Sequence, residues 1–391
     1  MGAAATGCPV CGGAAGAPFY RVDGAPTNSC LIRDTAAAAR ACARGTIELV
    51  GCVGCGFVFN RAFRPELTEY SERYISSQAS SGTFNAFQTR LAQRIGAHFG
   101  LRAGEVVEVG CGEGDFLPVL VAVLGLERGV GVDPAAPASD PPDAPIRFVR
   151  SRLTPELAAT LTADLVVCKM TLEHVPDLDA FTAALARLAA SRPHTGLFVS
   201  VPASERIFAD HAFWDVYYEH CNYFTRRSLR TLLERHGFTD VRAETLFGGQ
   251  YLAAFARRGD AAPAPTPGTS VADRDDFSRF ADVARERVAT WAALVERHRA
   301  RGERVVLWGS GSKAVAFLTA LPDADAVDCV VDINPARQGQ FVAGTGHPII
   351  APADLTARRP GLVVVMNPNY DAEIRRALDE LGVRPRIIAL D

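Results

Sequence analysis

Between residues 84 and 258 the chain alternates short apolar runs with longer stretches in which apolar residues recur every third or fourth position. The runs Val106–Val109, Gly129–Val132, Ile146–Val149, Asp164–Cys168 and Gly196–Val201 are apolar at nearly every position, which predicts strands covered on both faces, as in a parallel sheet. The intervening stretches have helical period, one of them opening at about Phe116, and another helix is predicted from Phe84 to His98. Such alternation predicts a doubly wound α/β sheet, completed by an antiparallel pair at Phe238–Ala243 and Tyr251–Arg257.

The pattern changes on both sides. Upstream, residues 1–65 lack the alternation and end in the apolar run Phe57-Val58-Phe59, and a polar, tyrosine-bearing stretch from Tyr70 to Gln78 follows. Downstream, Ala261–Gly268 is rich in proline, alanine and glycine and reads as a linker. A long helical pattern from Asp273 to Arg299 leads to a second strand, turn and helix starting at Val305. We expect four segments: 1–65, a core at 66–260, a linker and helix at 261–301, and an α/β unit at 302–391.

A length of 391 residues agrees with more than one core, and 48% apolar residues make the chain globular. The net charge of −3, with no basic block, speaks against a nucleic-acid partner. The N-terminal residues have no charged and apolar leader pattern, and no apolar run approaches the length of a membrane span. The expectation is a cytoplasmic protein, monomer or homodimer, that handles a small molecule.

Ten cysteines do not suggest a disulfide scaffold in a chain this long, because four of them have metal-ligand spacing. Cys8-Pro9-Val10-Cys11 and Cys52-Val53-Gly54-Cys55 are C-x-x-C knuckles, followed by Gly12 and Gly56, that could hold one tetrahedral zinc ion. Four thiolates close the coordination shell, so such a zinc is structural. A redox role fits less well, since no β-α-β pattern follows either knuckle. The 40 residues between the knuckles, which include Cys30 and Cys42, exceed ribbon spacing and predict a small hairpin or helix of their own.

The strand at Val106–Val109 runs into Gly110-Cys111-Gly112-Glu113-Gly114, a G-x-G-x-G turn over which a bulky nucleoside can lie because glycine carries no Cβ. Asp133 ends the next strand, where a carboxylate can grip ribose hydroxyls. The loop lacks the two-residue gap of a pyrophosphate-binding G-x-G-x-x-G, and Glu108 inside the strand suits an ammonium better than a pyrophosphate. A second turn, Gly309-Ser310-Gly311-Ser312-Lys313-Ala314, is followed by Asp332 at the end of the strand Asp328–Val331. It matches a dinucleotide fingerprint in part, and three readings stay open for it: NAD, a substrate's phosphate or nucleotide, or a structural role only.

Glu108-Val109-Gly110-Cys111-Gly112-Glu113-Gly114-Asp115-Phe116 resembles the first motif of class I S-adenosylmethionine (SAM) methyltransferases. With the two knuckles before it and the glycine turn after it, the chain resembles the zinc-containing SAM-dependent deoxysugar C-methyltransferases over almost its whole length. Thr171-Leu172-Glu173-His174-Val175-Pro176-Asp177, Tyr217-Tyr218-Glu219-His220-Cys221-Asn222-Tyr223-Phe224, and a tail containing Asp332-Ile333-Asn334-Pro335 carry the likeness further. Departures at Met170–His174, where those enzymes usually read Asn-Val-Leu-Ala-His, and at Ile75–Gln78 suggest a sister subfamily. An extra acid, Glu173, thereby enters the site.

The resemblance implies a class I, Rossmann-like methyltransferase core with an N-terminal zinc module and a C-terminal Rossmann-like substrate-binding domain. It places SAM against Glu108, Gly110, Cys111, Gly112, Asp133 and Met170, zinc on Cys8, Cys11, Cys52 and Cys55, and acid, base or oxyanion roles on Tyr74, His174, Tyr217, Glu219 and His220. The acceptor is then carbon beside a keto group, in a nucleotide-linked sugar or a related natural-product intermediate. An imidazole titrates near neutral pH, so His220, oriented by Glu219, is the expected base, with Tyr217 or His174 steadying the enolate. Blander readings stand beside these: His174 as a structural histidine, Glu219 and His220 facing opposite ways, Tyr74 as a lid residue, and Phe213–Tyr218 as packing. Methylation of oxygen or nitrogen and a non-catalytic SAM fold are the alternative functions.

Overall fold

In the computed structural model the described residues are 7–390, apart from Glu72, residues 143–144 and residues 260–271, so the expected linker at Ala261–Gly268 lies outside them. Within the helix Ala272–Arg299 the side chains of 272–276 and 278 are likewise outside the description.

The amino-terminal segment forms strands β1 (Ala15–Pro26), β2 (Arg44–Cys52) and β3 (Val58–Asn60), with a short helix, Ala36–Arg40, between the first two. β1 pairs antiparallel with β2 and β2 with β3, so the insert between the knuckles holds both a hairpin and a helix.

The central sheet contains β4 (Glu105–Val109), β5 (Arg128–Val132), β6 (Ile146–Val149), β7 (Leu165–Lys169) and β8 (Gly196–Pro202), all parallel. After the short β9 (Asn222–Tyr223), β10 (Phe238–Leu246) and β11 (Tyr251–Arg258) form the expected antiparallel pair, and β11 docks antiparallel on β8. The order is β10-β11-β8-β7-β4-β5-β6, so the chain reverses direction across the sheet between β4 and β7. Ligands of open α/β sheets bind at such a switch point. Val106, Val107, Val166 and Val167 are fully buried, as consecutive apolar residues in a doubly covered sheet must be.

The preceding helix, Gly82–Phe99, buries Phe84, Phe87, Leu91 and Ile95 along one stripe and ends at Gly100 in the left-handed conformation. Ser81 caps its start by accepting from the Phe84 amide. A residue far downstream adds to this cap: Glu373 accepts from Ser81 Oγ at 2.9 Å and from the Thr83 amide at 3.1 Å. An acid there complements the positive end of the helix dipole.

A third sheet, wholly parallel, contains β12 (Val305–Trp308), β13 (Cys329–Val331), β14 (Ile349–Ile350), β15 (Leu362–Val365) and β16 (Arg386–Ala389) in the order β14-β13-β12-β15-β16. The three sheets share hydrophobic cores. One cluster runs from Cys8, Val50 and Phe57 into Val107, Val166 and Val199 of the central sheet. Another joins Ile47 and Val58 with Trp214 and Tyr223, with Phe280 and Trp291 of the long helix, and with Leu307 and Val364 of the third sheet. Among the described residues no helix is long and apolar enough to cross a membrane, and all ten cysteines are free thiols.

β9 leaves the central unit to pair antiparallel with β3, extending the amino-terminal sheet. Its Asn222 is buried and donates from Nδ2 to the carbonyls of Leu172 at 2.9 Å and Val175 at 2.6 Å, which fixes the turn after β7. Asn222→Ala would remove the side-chain donor from both carbonyls, leaving Leu172 O only the Val175 amide at 3.3 Å, so we expect a loss of about 1–3 kcal/mol in chemical denaturation. Unchanged stability would show that this seam carries no weight.

Candidate functional site

A cavity of about 790 Å³ lies above the carboxyl ends of the strands of the central sheet, with walls from all three units. At one end the turn after β4 has Gly110, Gly112 and Gly114 at φ of 76°, 53° and 83°, which only glycine adopts readily. A Cβ on Gly110 would fall 2.0 Å from Thr171 Oγ1, whereas one on Gly112 would meet nothing within 4 Å, so the absent side chain of Gly112 leaves open space. Gly110 N donates to the Val132 carbonyl at 2.8 Å, and Asp133 accepts from the amides of Gly112 at 3.1 Å and Ala135 at 2.7 Å. These bonds tie the turn to the end of β5. Burial raises the carboxyl pKa of Asp133.

Glu108 is buried, its Oε2 has no partner, and burial pushes its pKa up to about 8. Ionised, it would suit a cation brought by a ligand better than water-free isolation. Met170, just past β7, holds φ 53°, a conformation uncommon for a residue with a full side chain. Glu108, Gly110, Cys111, Gly112, Asp133 and Met170, the residues expected to hold the cofactor, all line this cavity.

Beyond the nucleoside end stand Tyr74, His174, Tyr217 and His220. His174 and His220 rings are 4.8 Å apart edge to face, and Tyr217 lies 4.1 Å from His220. Burial lowers the His174 pKa to about 4 and pushes that of His220 well below its usual value, with help from His174. Both imidazoles are therefore neutral at neutral pH. His174 Nδ1 is 3.1 Å from the Glu219 carbonyl, which can only accept, so the proton lies on that nitrogen. His220 Nδ1 is buried with no partner.

Glu219 does not orient His220. Its carboxylate turns the other way and accepts from the Ser29 amide at 3.0 Å, from Ser29 Oγ, from Asn28 Nδ2 at 3.5 Å and from the Tyr74 hydroxyl. Tyr218 and Glu219 form a turn closed by the His220 amide donating to the Tyr217 carbonyl at 3.2 Å, and the donors to the carboxylate lie on the amino-terminal side. Burial raises the Glu219 pKa even against these bonds. Tyr74 is accordingly pinned, with its backbone bridged to Leu31, in place of resting on a free lid.

Sequence reasoning missed Tyr70, whose hydroxyl is 3.0 Å from His174 Nδ1 and whose ring lies 5.2 Å from that of Tyr74. Its four-residue spacing from Tyr74 was the available signal. It also missed Asn28 and Ser29, for which no local pattern exists.

The third unit presents its glycine turn to the same cavity. Here Gly309 N donates to the Val331 carbonyl at 2.8 Å, and Asp332 accepts from the amides of Ser310 at 2.9 Å and Asn334 at 2.8 Å. Lys313 pairs with Asp215 at 3.1 Å, Asp215 also holds Arg206 at 2.6 Å, and buried Arg337 donates to the Ser310 carbonyl at 2.9 Å. Ser312 Oγ reaches Ser29 Oγ at 2.6 Å, so the two flanking units touch beside Glu219.

Separately, the thiols of Cys8, Cys11, Cys52 and Cys55 gather with all four sulfurs within 4.8 Å of one another, and Cys30 and Cys42 stay apart. The amides that reach the sulfurs belong to Gly13, 3.4 Å from Cys11 Sγ, and Gly54, 3.3 Å from Cys52 Sγ. Gly12 and Gly56 serve instead by turning the chain, at φ of 73° and 72°.

Residues 84–243 match the methyltransferase domain family and residues 268–384 the C-methyltransferase C-terminal domain family. The chain is 27% identical over 349 residues to the C-methyltransferase NovU of Streptomyces niveus, spanning 84% of this chain and 81% of that one. A stretch of 49 residues is 49% identical to the 2-ketoarginine methyltransferase of Streptomyces arginensis, covering 12% of this chain and 14% of that protein. Among solved structures, a 1,6-didemethyltoxoflavin-N1-methyltransferase of Burkholderia thailandensis is similar with a TM-score of 0.34 and 24% identity, over 46% of this chain and 82% of the other.

The turn after β4 makes a quantitative prediction. By calorimetry Asp133→Ala should weaken SAM binding by about 1.5–3 kcal/mol, the range for a hydrogen bond to a charged group. Gly110→Ala should weaken it too, since the new methyl collides with Thr171. Full affinity in both variants would exclude this turn as the binding site.

Proposed function

We propose that this chain, an SAM-dependent methyltransferase of class I fold, methylates carbon beside a carbonyl group after forming an enolate there. The observation that carries the reading is the pair of neutral imidazoles, half-buried His174 and buried His220, set among tyrosines in the wall of the same cavity as the glycine turn. An oxygen or nitrogen acceptor brings its own lone pair, but carbon must first lose a proton to a base that is unprotonated at working pH.

When bound, SAM supplies an electrophilic methyl group. The open space at Gly112 would take its nucleoside, Asp133 would hold the ribose hydroxyls, and Glu108 would face its ammonium. Cys111 and Met170 complete the wall. His220 removes the proton from carbon, and its depressed pKa keeps it ready to do so. Tyr217 packs on the His220 ring and holds it, and His174 is fixed by the Glu219 carbonyl and Tyr70 so that its other nitrogen faces the acceptor. Glu219 acts at one remove by fixing Tyr74 and the Asn28–Ser29 turn. The partner is a small keto compound. A nucleotide-linked keto sugar and a 2-oxo acid are the acceptors proposed, the second in line with the 2-ketoarginine named for one relative, and the Gly309–Lys313 turn lines the same cavity to meet the remote part of such an acceptor.

The Cys8, Cys11, Cys52 and Cys55 cluster is a fit for structural zinc in a module spanning 1–65, beside a core at 66–260 and a unit at 302–391. Tetrahedral zinc with bonds of about 2.3 Å separates sulfurs by about 3.8 Å. The Cys8–Cys55 and Cys11–Cys52 separations are 3.7 and 3.5 Å. Metal analysis should find one zinc per chain, lost in Cys52→Ser together with solubility, because such zinc contributes folding free energy directly. Zinc retained in full by that variant would remove the assignment.

The chemistry is decided by solvent deuterium. Wild type should wash out the α-proton of a ketone acceptor, and His220→Ala should lose about 10²–10⁴ in turnover while keeping SAM affinity. Methylation without loss of any α-proton, with the methyl found on oxygen or nitrogen, would replace this reading by O- or N-methyl transfer.

A further inference from the structure

Glu173 is the middle residue of the 3-10 turn Leu172–His174 that follows β7, is fully buried, and contributes to the cavity wall beside the two imidazoles. One of its carboxyl oxygens and one ring nitrogen each of His174 and His220 lie within 4.8 Å of one another. Both oxygens lack any hydrogen-bond partner, and among the described residues no cation stands within ion-pair distance of them. A buried carboxylate without partners is untenable as an anion, so the group is either a neutral acid or the ligand of something that enters the cavity.

We infer that Glu173 is the catalytic acid of this site, neutral in the resting protein, and that its O–H protonates the acceptor's carbonyl oxygen while His220 takes the carbon-bound proton. The inference rests on the carbon-methylation reading and names a residue to which that reading gave no role. In the step, the C–H bond breaks toward His220 and its electron pair becomes the C=C bond of the enol. The carbonyl π pair becomes the new O–H bond to the proton released by Glu173. Once the carbon carries its methyl group, the oxygen returns that proton to the Glu173 carboxylate and the C=O bond reforms, and His220 loses its proton to solvent. One proton is released per methyl group transferred.

The surroundings agree with this division of labour. Lys169 and Cys168 face Glu173 from the end of the preceding strand β7, and Cys221, Tyr70 and Tyr251 from other elements. Only the lysine among these carries a charge that would draw a proton off, and it leans over the Phe116 ring at 5.4 Å. Burial outweighs it and pushes the Glu173 pKa up to about 8. An acid held above neutrality beside bases held below it is the arrangement by which one site runs both halves of a proton transfer.

Two readouts test the proposal. In the infrared difference spectrum of wild type minus Glu173→Gln at pH 7, a carboxylic-acid band should appear and titrate away near pH 8. With 2-ketoarginine or a nucleotide-linked keto sugar as acceptor, kcat/KM should fall as pH rises through about 8, because the acid form is then lost. Glu173→Gln can donate a hydrogen bond but has no proton to transfer and does not titrate, so it should lose about 10²–10³-fold in kcat/KM with no alkaline limb near pH 8, and Glu173→Ala should lose at least as much, both at unchanged SAM affinity. A missing band, an alkaline limb retained in Glu173→Gln, or a second metal equivalent that disappears in that variant would overturn the inference. Failure of wild type to lose any α-proton would instead sink the carbon-methylation reading, independently of the band.

Discussion

The buried carboxylate of Glu219 is the contact on which the site depends. A charge or a strong acceptor with almost no exposure must find donors inside the protein, and it finds them in Asn28, Ser29 and Tyr74. Ser29 in turn meets Ser312 of the third unit, and the Glu219 carbonyl meets His174 of the core. One residue thus gathers the amino-terminal sheet, the tyrosine segment, the turn after β7 and the second glycine turn around one end of the cavity. Its side chain serves one wall while its backbone serves the other.

The two glycine turns show how a shared construction acquires different surroundings. In each, the first glycine donates to the last carbonyl of the neighbouring strand, and the aspartate that follows that strand accepts from an amide of the turn. At Gly112 the space above the backbone is free, so a flat ligand can approach it. At Ser310 the hydroxyl and the buried Arg337 already occupy the equivalent surroundings, and Lys313 is committed to Asp215. The space beside Gly311 is as open as that beside Gly112, so the second turn differs from the first in the satisfied polar groups around it and not in room for a ligand.

Much of the architecture was legible because it follows from local rules. Consecutive valines placed β4 and β7, glycines placed the turn, and paired cysteines gathered into one cluster across 40 intervening residues. The site was legible only as far as its residues belong to motifs. Tyr217 and His220 came from one short stretch, but the direction of Glu219 depends on donors 190 residues away, which no spacing rule encodes. The pairing of β9 with β3 was equally hidden, since a two-residue strand has no periodicity to detect. Tyr74 looked like part of a mobile polar stretch for the same reason: the acceptor that pins it lies elsewhere in the chain.

The cap supplied by Glu373 has a consequence for how the molecule comes apart. The helix Gly82–Phe99 begins the core in sequence, yet part of its amino-terminal cap is delivered by a helix near the end of the chain. The cluster around Trp214 and Phe280 likewise joins side chains of the amino-terminal sheet, the long helix and the third sheet. Units that read as separable along the sequence are thereby coupled in stability, because losing the last unit strips the Glu373 hydrogen bonds and the Tyr370 cover from the first helix of the core. The polypeptide is modular in its history of motifs and cooperative in its thermodynamics.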